Sequence, residues 1–503
     1  MRVLFVTSEV YPLAKSGGLA DVSSALPEAL KAQGVDIRIL LPGYPRALAA
    51  LKNTRLEARL ETLLGVEGAA LISGELPGSG LRAWLIHAPA LYLRDGGLYQ
   101  DAGGRDWPDN ALRFGFLAHV GRAIATGAIR NWIPDVVHAN DWHAGLLPLL
   151  LSMHDGPRPA TVLTIHNMAF QGNFPAQLHS DLEIPDNFLR PDGAEFYGQL
   201  SFLKAGIRYA DRITTVSPTY ADEILTPEFG CGLDGLLRER AQALSGILNG
   251  IDIGLWNPRS DSHLPHPYCA ADLSSKRLCK IELQRELGLE RDAEKPLIGF
   301  VSRLTHQKMA DVILSALPRV LDSGAQMVVL GQGEPALEAG FTEVAGRGRS
   351  DLTVRIGYEE GLAHRLQGGS DILLAPARYE PCGLTQLYAM RYGTVPVVRR
   401  TGGLKDTVIE ASPASLLDRT ATGVVFDEAG IDGFMQGVDR ALALYREPLL
   451  WRRLQLQGMS QDFSWAASAS RYAALYGDAA PLADITPDVA AEQTTAAPSV
   501  HAA

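Results

Sequence analysis

Two cations stand five residues apart after a short apolar run in the second half of the chain. Arg303 and Lys308 belong to the segment SRLTHQK at 302–308, which follows a predicted strand at 296–302. Ligands collect at the carboxyl ends of parallel strands. An arginine fork and a lysine point charge can hold phosphate oxygens there, although a charged surface loop would have the same composition. The segment favours a site for a phosphorylated ligand.

A carboxylate holds a similar position after a later predicted strand. Glu380 opens the segment EPCGLTQL, in which Pro381 and Gly383 predict a shaped turn before a helix. A carboxylate that faces a cleft can accept hydrogen bonds from sugar hydroxyls or stabilise an oxocarbenium-like centre. The alternative interpretation is a glutamate that only caps the helix.

Glycines at two predicted strand-to-helix junctions could offer backbone amides to phosphate. The first junction is KSGGLAD at 15–21 and the second is TGGL at 401–404. Amides at a helix N-terminus carry partial positive charge, and Lys15 adds a full charge at the first junction. Tight turns remain the alternative for both. Neither segment matches GxGxxG, and no acidic residue is placed to bind a ribose, so a nicotinamide enzyme is disfavoured.

Two further segments, HANDWH at 138–143 and TIHN at 164–167, end predicted strands with polar groups suited to sugar hydroxyls. Structural capping would explain the same residues. Their histidine and aspartate side chains could also bind a metal, but they lie on separate loops without a recognised ligand spacing. We therefore expect no metal site and no cofactor.

These segments require parallel strands to position them, and short apolar runs between helix-length segments predict two such series. The first series comprises residues 3–6, 36–41, 134–138 and 160–166, with helices at 19–32 and near 142–151. The second comprises residues 296–302, 326–330, 352–356, 371–375, 395–398 and 423–426. The sequence NGID at 249–252 and a proline-rich stretch at 257–267 separate the series. We predict an α/β protein with domains at 1–250 and 251–464.

Composition narrows the class of protein. The chain has 503 residues and a formal net charge of -11, which argues against general binding of nucleic acid or anionic membranes. We find no secretory signal, and no apolar run approaches the roughly 20 residues of a membrane span. Four cysteines without a CxxC pair favour a reducing cytoplasm over a disulfide framework. Residues 478–503 are rich in Ala, Pro and Thr, so we expect a disordered tail.

Taken together, the motifs resemble those of the bacterial and plant glycogen and starch synthases. The matching segments are KSGGLADV at 15–22, HANDWHAGL at 138–146, TIHNMAFQG at 164–172, LNGID at 248–252, SRLTHQK at 302–308, EPCGLTQLYA at 380–389 and RRTGGLKDTV at 399–408. Their order and spacing match too, over roughly residues 1–476. The resemblance implies a GT-B fold, in which two Rossmann-like domains face each other across a cleft. A helix at 465–477 would then cross back and complete the first domain.

The resemblance also implies an activity and its site residues. Glucose would pass from ADP-glucose to a glycogen or maltooligosaccharide acceptor, with retention of configuration and without a metal. Residues implied to hold the donor's diphosphate and nucleoside are Lys15, Gly18, Asp21, Arg303, Lys308, Tyr358, Thr401, Gly402 and Gly403. Residues implied to surround the transferred glucose are Asp141, His166, Asn249, Gln307, Glu380 and Cys382. The implied catalytic set is Glu380, Asp141, His166, Arg303 and Lys308, and Tyr99 is implied on the acceptor side.

Three positions depart from the family's pattern. Met309 stands where a glycine usually follows the lysine, and Asn140 replaces a frequent histidine. Related retaining transferases often have a second glutamate eight residues after the first, whereas this chain has Tyr388, as in the starch-synthase branch. Three other functions stay open: a transferase of the same fold acting on sucrose or a lipid-linked sugar, an inactive carbohydrate-binding protein, and a phosphorylase. For the last of these, the sequence has no lysine motif for pyridoxal phosphate.

Overall fold

The computed structural model describes residues 1–479. The disordered tail predicted for 478–503 therefore lies, except for its first two residues, outside the described part of the chain. Those two residues, Asp478 and Ala479, are the last of a helix.

Twelve strands precede residue 250. They are β1 (Arg2–Val6), β2 (Asp36–Pro42), β3 (Lys52–Arg59), β4 (Ala70–Glu75), β5 (Arg82–His87), β6 (Val136–Asn140), β7 (Ala160–Ile165), β8 (Asn173–Pro175), β9 (Glu195–Phe196), β10 (Gln199–Ser201), β11 (Arg212–Thr215) and β12 (Leu244–Gly246). Nine of them form one sheet in the order β12-β11-β7-β6-β1-β2-β5-β4-β3, and β8, β10 and β9 form a small antiparallel sheet. In the large sheet β4 is the one strand that runs in the opposite direction to the others.

The helices of this first domain cover its large sheet. They are α1 (Gly18–Ala32), α2 (Pro45–Ala50), α3 (Pro89–Tyr92), α4 (Asn110–Ala125), α5 (Leu146–Ser152), α6 (Leu178–Asp181), α7 (Phe202–Tyr209), α8 (Pro218–Glu223) and α9 (Asp234–Glu239), with 3₁₀ turns at Trp142–Ala144, Asp186–Phe188 and Ala241–Ala243. Helix α1 buries Leu19, Val22, Leu26 and Leu30, a spacing that puts one apolar stripe on the sheet. The single helix predicted near 142–151 is divided, because a 3₁₀ turn precedes α5.

The second domain is a six-stranded parallel sheet in the order β15-β14-β13-β16-β17-β18. Its strands are β13 (Leu297–Val301), β14 (Gln326–Gly331), β15 (Leu352–Ile356), β16 (Ile372–Ala375), β17 (Val395–Arg399) and β18 (Val424–Phe426). Its helices are α10 (Ser274–Glu286), α11 (Ala310–Asp322), α12 (Pro335–Gly346), α13 (Glu360–Gly369), α14 (Thr385–Arg391), α15 (Gly402–Thr407), α16 (Pro413–Leu417), α17 (Ile431–Tyr445) and α18 (Pro448–Met459). All six strands were predicted, with ends that differ by one residue or less in most cases.

The last described helix, α19 (Trp465–Ala479), belongs to the core of the first domain. Its buried residues Trp465, Ala469, Tyr472 and Tyr476 repeat at helical spacing and join the first domain's apolar cluster. Tyr476 also bonds His138 of β6, with 2.7 Å between the tyrosine oxygen and Nδ1. The chain thus crosses between the domains twice, and the crossings touch where the amide of Ile251 donates to the carbonyl of Phe463 at 2.8 Å.

The exact domain boundary stays a prediction. The first sheet ends at Gly246 and the second begins at Leu297, so the boundary at 250 falls within the connection. Gly250 is in this connection, and a Cβ there would come within 2.7 Å of the backbone nitrogen of Trp465. The close contact between the two crossing segments therefore requires glycine at this position.

Candidate active site

The two large sheets present their carboxyl ends to each other. Ser217 follows β11 of the first domain, and its hydroxyl donates to the carbonyl of Pro381, which follows β16 of the second, at 2.6 Å. Loops after parallel strands collect ligands, and here two sets of such loops face a common cleft. Most of the predicted site residues lie on these loops.

Glu380 and Lys308 form an ion pair at the centre of the second domain's edge. Glu380 follows β16 and Lys308 follows β13. These strands are parallel neighbours, so the loops that follow them leave from the same edge of the sheet. The side chains are 11% and 18% exposed, so both charges are largely removed from water while each remains reachable from the cleft. Separating the two partners would leave each charge partly buried and without its counter-charge, which is costly. An anion that binds in the cleft would compete with Glu380 for Lys308.

The backbone of Glu380 is fixed by the glycine pair of the TGGL segment. The amide of Gly403 donates to the Glu380 carbonyl at 3.0 Å. Gly402 has φ +41°, and a Cβ on it would lie 1.9 Å from the same carbonyl oxygen. Only glycine permits this approach, so the sequence TGGL is required for the position of Glu380.

The donor groups of residues 401–403, whose predicted role is to hold phosphate, have acceptors within the protein. The hydroxyl of Thr401 and the amide of Gly402 both donate to Oε1 of Glu223 in the first domain, each at 2.9 Å. The third donor, the Gly403 amide, is bonded to Glu380. All three groups have protein acceptors, and residues 401–403 therefore support the Glu380 loop instead of presenting free amides.

Arg303 and Gln307 lie beside the ion pair. The guanidinium of Arg303 donates to Oε1 of Gln307 at 2.9 Å, and the Gln307 amide donates to the Tyr379 carbonyl at 3.3 Å. Arg303 is exposed and its fork can turn towards a phosphate.

Met309 adopts the left-handed conformation, φ +52°, which explains why a glycine is usual there. Its side chain is fully buried, and that burial offsets the roughly 1–2 kcal/mol of backbone strain.

Across the cleft, the segment after β1 presents Lys15 at the N-terminus of α1. The Lys15 ammonium lies 2.7 Å from the Asp21 carboxylate, and the two side chains are 41% and 33% exposed. Burial raises the pKa of Asp21, while the charge of Lys15 lowers it and that of Glu360 in the second domain raises it. A Cβ on Gly18 would meet nothing within 4 Å, so a ligand can approach the helix N-terminus there.

A residue that was not predicted, Glu9, shapes this loop from within. Its carboxylate accepts from the amides of Ser16 at 2.6 Å and Gly17 at 3.0 Å. Its other oxygen accepts from the Tyr99 hydroxyl at 2.5 Å. The Tyr99 hydroxyl also contacts Ser8, so the group predicted to meet an acceptor is engaged in the protein. Only the placement of Glu9 three residues after the end of β1 could have indicated it from sequence.

Asp141 has an unusual backbone conformation for a non-glycine residue, with φ +53° and ψ −172°. Such a conformation is costly for a non-glycine residue and is found where a functional position requires it. The amide of His166 donates to its Oδ1 at 2.7 Å. Burial raises the pKa of the Asp141 carboxyl to about 7, against the lowering effect of the His166 and Asn167 amides.

His166 lies beside Asp141 at the end of the neighbouring strand β7. Its Nε2 is 3.0 Å from Oδ1 of Asn140, so the residue that replaces the usual histidine orients this ring. Burial lowers the pKa of His166 to about 3. The imidazole is therefore neutral at physiological pH and acts through hydrogen bonds, without a charge.

The remaining predicted residues lie around the same cleft. Oδ1 of Asn249 is buried and has no hydrogen-bond partner within residues 1–479. Cys382 is buried, and burial raises its thiol pKa to about 12, so it stays protonated. Tyr358 follows β15 and is 61% exposed. Partial burial and the charges of Glu360 and Asp21 raise the pKa of the Tyr358 hydroxyl to about 12.

Two largely parallel sheets with cations and carboxylates on their facing edges define a two-domain glycosyltransferase of the GT-B class. Two family models agree: "Starch synthase catalytic domain" matches residues 2–239 and "Glycosyl transferases group 1" matches residues 286–452. Similar curated proteins span nearly the whole chain. The chain belongs to the glycogen synthase family.

The relatives that show this are bacterial. A glycogen synthase of Paramagnetospirillum magneticum is 50% identical over 479 residues, which cover 95% of this chain and 97% of the relative. One from Nitrosomonas eutropha is 48% identical over 480 residues, covering 95% and 96%. Among solved structures, the catalytic domain of starch synthase IV from Arabidopsis thaliana, bound to ADP and acarbose, has a TM-score of 0.86 at 31% identity, covering 95% of this chain and 99% of that one.

Proposed function

We propose that this glycogen synthase family member transfers glucose from ADP-glucose to the non-reducing end of an α-1,4-glucan with retention of configuration. The observation that carries the proposal is the placement of Glu380 and Lys308, one side chain suited to the sugar and one to the diphosphate, at a single edge of the second sheet. The described starch synthase was solved with ADP and acarbose, a nucleotide and an oligosaccharide analogue in keeping with these two substrates.

The donor's diphosphate would bind between the two domains. Arg303 and Lys308 approach it from the second domain, and Lys15 with the N-terminus of α1 approaches from the first. Glu360 of the second domain influences the pKa of Asp21, the partner of Lys15, which supports a short distance across the cleft. Tyr358, exposed on the second domain's edge, would flank the adenine.

The transferred glucose would occupy the space between Glu380 and the loop of Asp141 and His166. Positive charge develops on the sugar ring as the bond to phosphate breaks, and anionic carboxylates stabilise that charge. His166, neutral and held by Asn140, would bond a sugar hydroxyl. The buried oxygen of Asn249, which has no partner within residues 1–479, would accept from another hydroxyl, and this bond would remove the desolvation cost of that atom.

The leaving diphosphate gains negative charge, and protein cations would stabilise it. Three cations, Lys15, Arg303 and Lys308, and the partial charge of a helix N-terminus would supply this stabilisation. Within residues 1–479 no group of three or more His, Cys, Asp and Glu side chains is arranged to hold a metal ion. We therefore propose that transfer needs no divalent metal and no cofactor.

The protein is proposed to act in the cytoplasm, because all four cysteines are free thiols in the structure. None of the helices in residues 1–479 is long and apolar enough to span a membrane.

The decisive assay follows nucleoside diphosphate release from purified protein. ADP-glucose or UDP-glucose is supplied with glycogen, with maltooligosaccharide, or without any acceptor. We expect release only when a glucan is present, and faster release from ADP-glucose. Release at the same rate without a glucan would indicate hydrolysis, and no release from either donor would refute the proposal.

A further inference from the structure

Helix α8 of the first domain makes a compact set of hydrogen bonds to the second domain. Ser217, its N-cap, accepts from the amide of Tyr220 at 3.2 Å and donates to the Pro381 carbonyl at 2.6 Å. Thr219 donates through its amide and its hydroxyl to the two oxygens of Asp406, at 2.8 and 2.6 Å. One six-residue helix thus contacts both the loop at Pro381 and helix α15 of the other domain.

Glu223 closes this set at the other end of α8. Its Oε1 accepts from the Thr401 hydroxyl and from the Gly402 amide, both at 2.9 Å. Its Oε2 is buried and has no hydrogen-bond partner in the described part of the chain. A carboxylate kept away from water in this way is costly, so the two bonds to residues 401 and 402 must compensate for its burial.

The two segments that α8 holds are those that fix Glu380. The amide of Gly403, next to the Glu223 contact, donates to the Glu380 carbonyl at 3.0 Å. Pro381, held by Ser217, directly follows Glu380. Gly402 also packs closely on this carbonyl, because a Cβ built on it would lie 1.9 Å from the Glu380 oxygen. A shift of α8 relative to the second domain would therefore be transmitted to the Glu380 backbone.

We propose that Ser217, Thr219 and Glu223 form an interdomain clamp that positions Glu380, so that the sugar carboxylate is correctly placed only when the two domains are docked. Glu223 is a positioning residue in this scheme, since it acts through Thr401 and Gly402. The inference rests on the proposed function in one respect, namely that Glu380 acts on the transferred sugar. The clamp itself is a property of the ligand-free protein and can be tested without turnover.

The first test measures amide hydrogen exchange in the full-length, ligand-free protein. Wild type is compared with Glu223→Ala, and with Asp222→Ala as a matched control, because Asp222 is the exposed neighbour on the same helix. We expect faster exchange in peptides that cover 378–386 and 400–407 in Glu223→Ala only. Unchanged exchange in these peptides would overturn the clamp, whatever the activity.

The second test separates positioning from general destabilisation by steady-state kinetics with ADP-glucose and glycogen. We expect Glu223→Ala to lower kcat by about 10- to 100-fold, as a misplaced catalytic group does, with the donor KM changed less than about threefold. Glu223→Gln keeps an acceptor oxygen and should recover most of kcat. Thr219→Val removes an independent bond and should lower kcat by a smaller factor.

The outcomes distinguish the clamp from the proposed function. A kcat within twofold of wild type in Glu223→Ala, or an equal loss in Asp222→Ala, contradicts the clamp. A wild-type protein that transfers nothing from ADP-glucose contradicts the proposed function, while the exchange experiment still decides whether α8 holds the Glu380 loop.

Discussion

Lys308 and Glu380, 72 residues apart in sequence, contact each other through the lysine ammonium and one carboxylate oxygen. In the absence of donor, each charge therefore neutralises the other. A bound diphosphate would draw Lys308 towards itself and leave Glu380 to face the sugar. If the proposed function holds, donor binding would therefore be coupled to the release of the Glu380 carboxylate from Lys308.

Lys308→Ala should lower kcat/KM for ADP-glucose by about 10²- to 10³-fold, because the leaving diphosphate loses one of its three proposed cations. The same assays in excess EDTA should retain most wild-type activity. Added magnesium should not rescue the variant. If chelation abolishes transfer and Mg²⁺ or Mn²⁺ restores it, stabilisation of the leaving group by protein cations is wrong.

Gly402→Ala should lower turnover by at least about 100-fold, since its Cβ would lie 1.9 Å from the Glu380 carbonyl oxygen at a left-handed φ. Gly346→Ala is the matched control, because a Cβ there meets nothing within 4 Å and its φ is ordinary. Rates and melting temperatures of both variants check the prediction. Equal activity in the two would show that the Glu380 loop tolerates movement.

The donor kcat/KM should rise with pH through about 7 because of Asp141. This quantity reports the free enzyme, in which burial raises the Asp141 pKa to about 7, so the anion needed near a developing cation forms only above that pH. Asp141→Asn should lose this limb of the profile and be much slower. If kcat/KM of Asp141→Asn still rises with pH through about 7, the titrating group is a different residue.

The same shift makes a prediction about stability. The unfolded carboxyl releases its proton near 3.8, while the folded one keeps it to about 7, so the folded state binds more protons between these values. Its contribution to stability therefore falls as pH rises from about 4 to 7. In denaturant unfolding, the free energy of unfolding of Asp141→Asn minus that of wild type should be more positive at pH 8 than at pH 4. An identical difference at both pH values would contradict the raised pKa.

Sequence alone predicted the parts of this molecule that depend on local pattern. All six strands of the second sheet follow from apolar runs, and so do the positions of Arg303 and Glu380 after strands and of Lys15 before the first helix, while the roles of these three residues stay predictions. Contacts between distant segments could not be predicted. Glu9 and Glu223 are single carboxylates without a local motif, and their partners are decided by how loops and domains meet. For the same reason the sequence did not predict that the glycine pair at 402–403, typical of phosphate binding, packs against the Glu380 backbone.

Tyr358 should contribute to donor binding more than to chemistry. Its exposed ring at the end of β15 can stack on adenine, so Tyr358→Ala should raise the KM for ADP-glucose by about tenfold with kcat little changed. Tyr358→Phe should behave like wild type. A preference for ADP-glucose over UDP-glucose should accompany this, measured as the ratio of the two kcat/KM values. Equal values for the two donors would place the protein in another branch of the fold.

Glu380 is proposed to act on the transferred sugar in a retaining reaction. The most direct measurement is proton NMR of maltooligosaccharide elongated from ADP-glucose by wild type and by Glu380→Gln, which keeps the shape of the side chain. We predict a new α-1,4 linkage made by wild type and turnover lowered by about 10³-fold in the variant, with donor affinity and melting temperature little changed. A β-linked product, or wild-type turnover in Glu380→Gln, would contradict the claim.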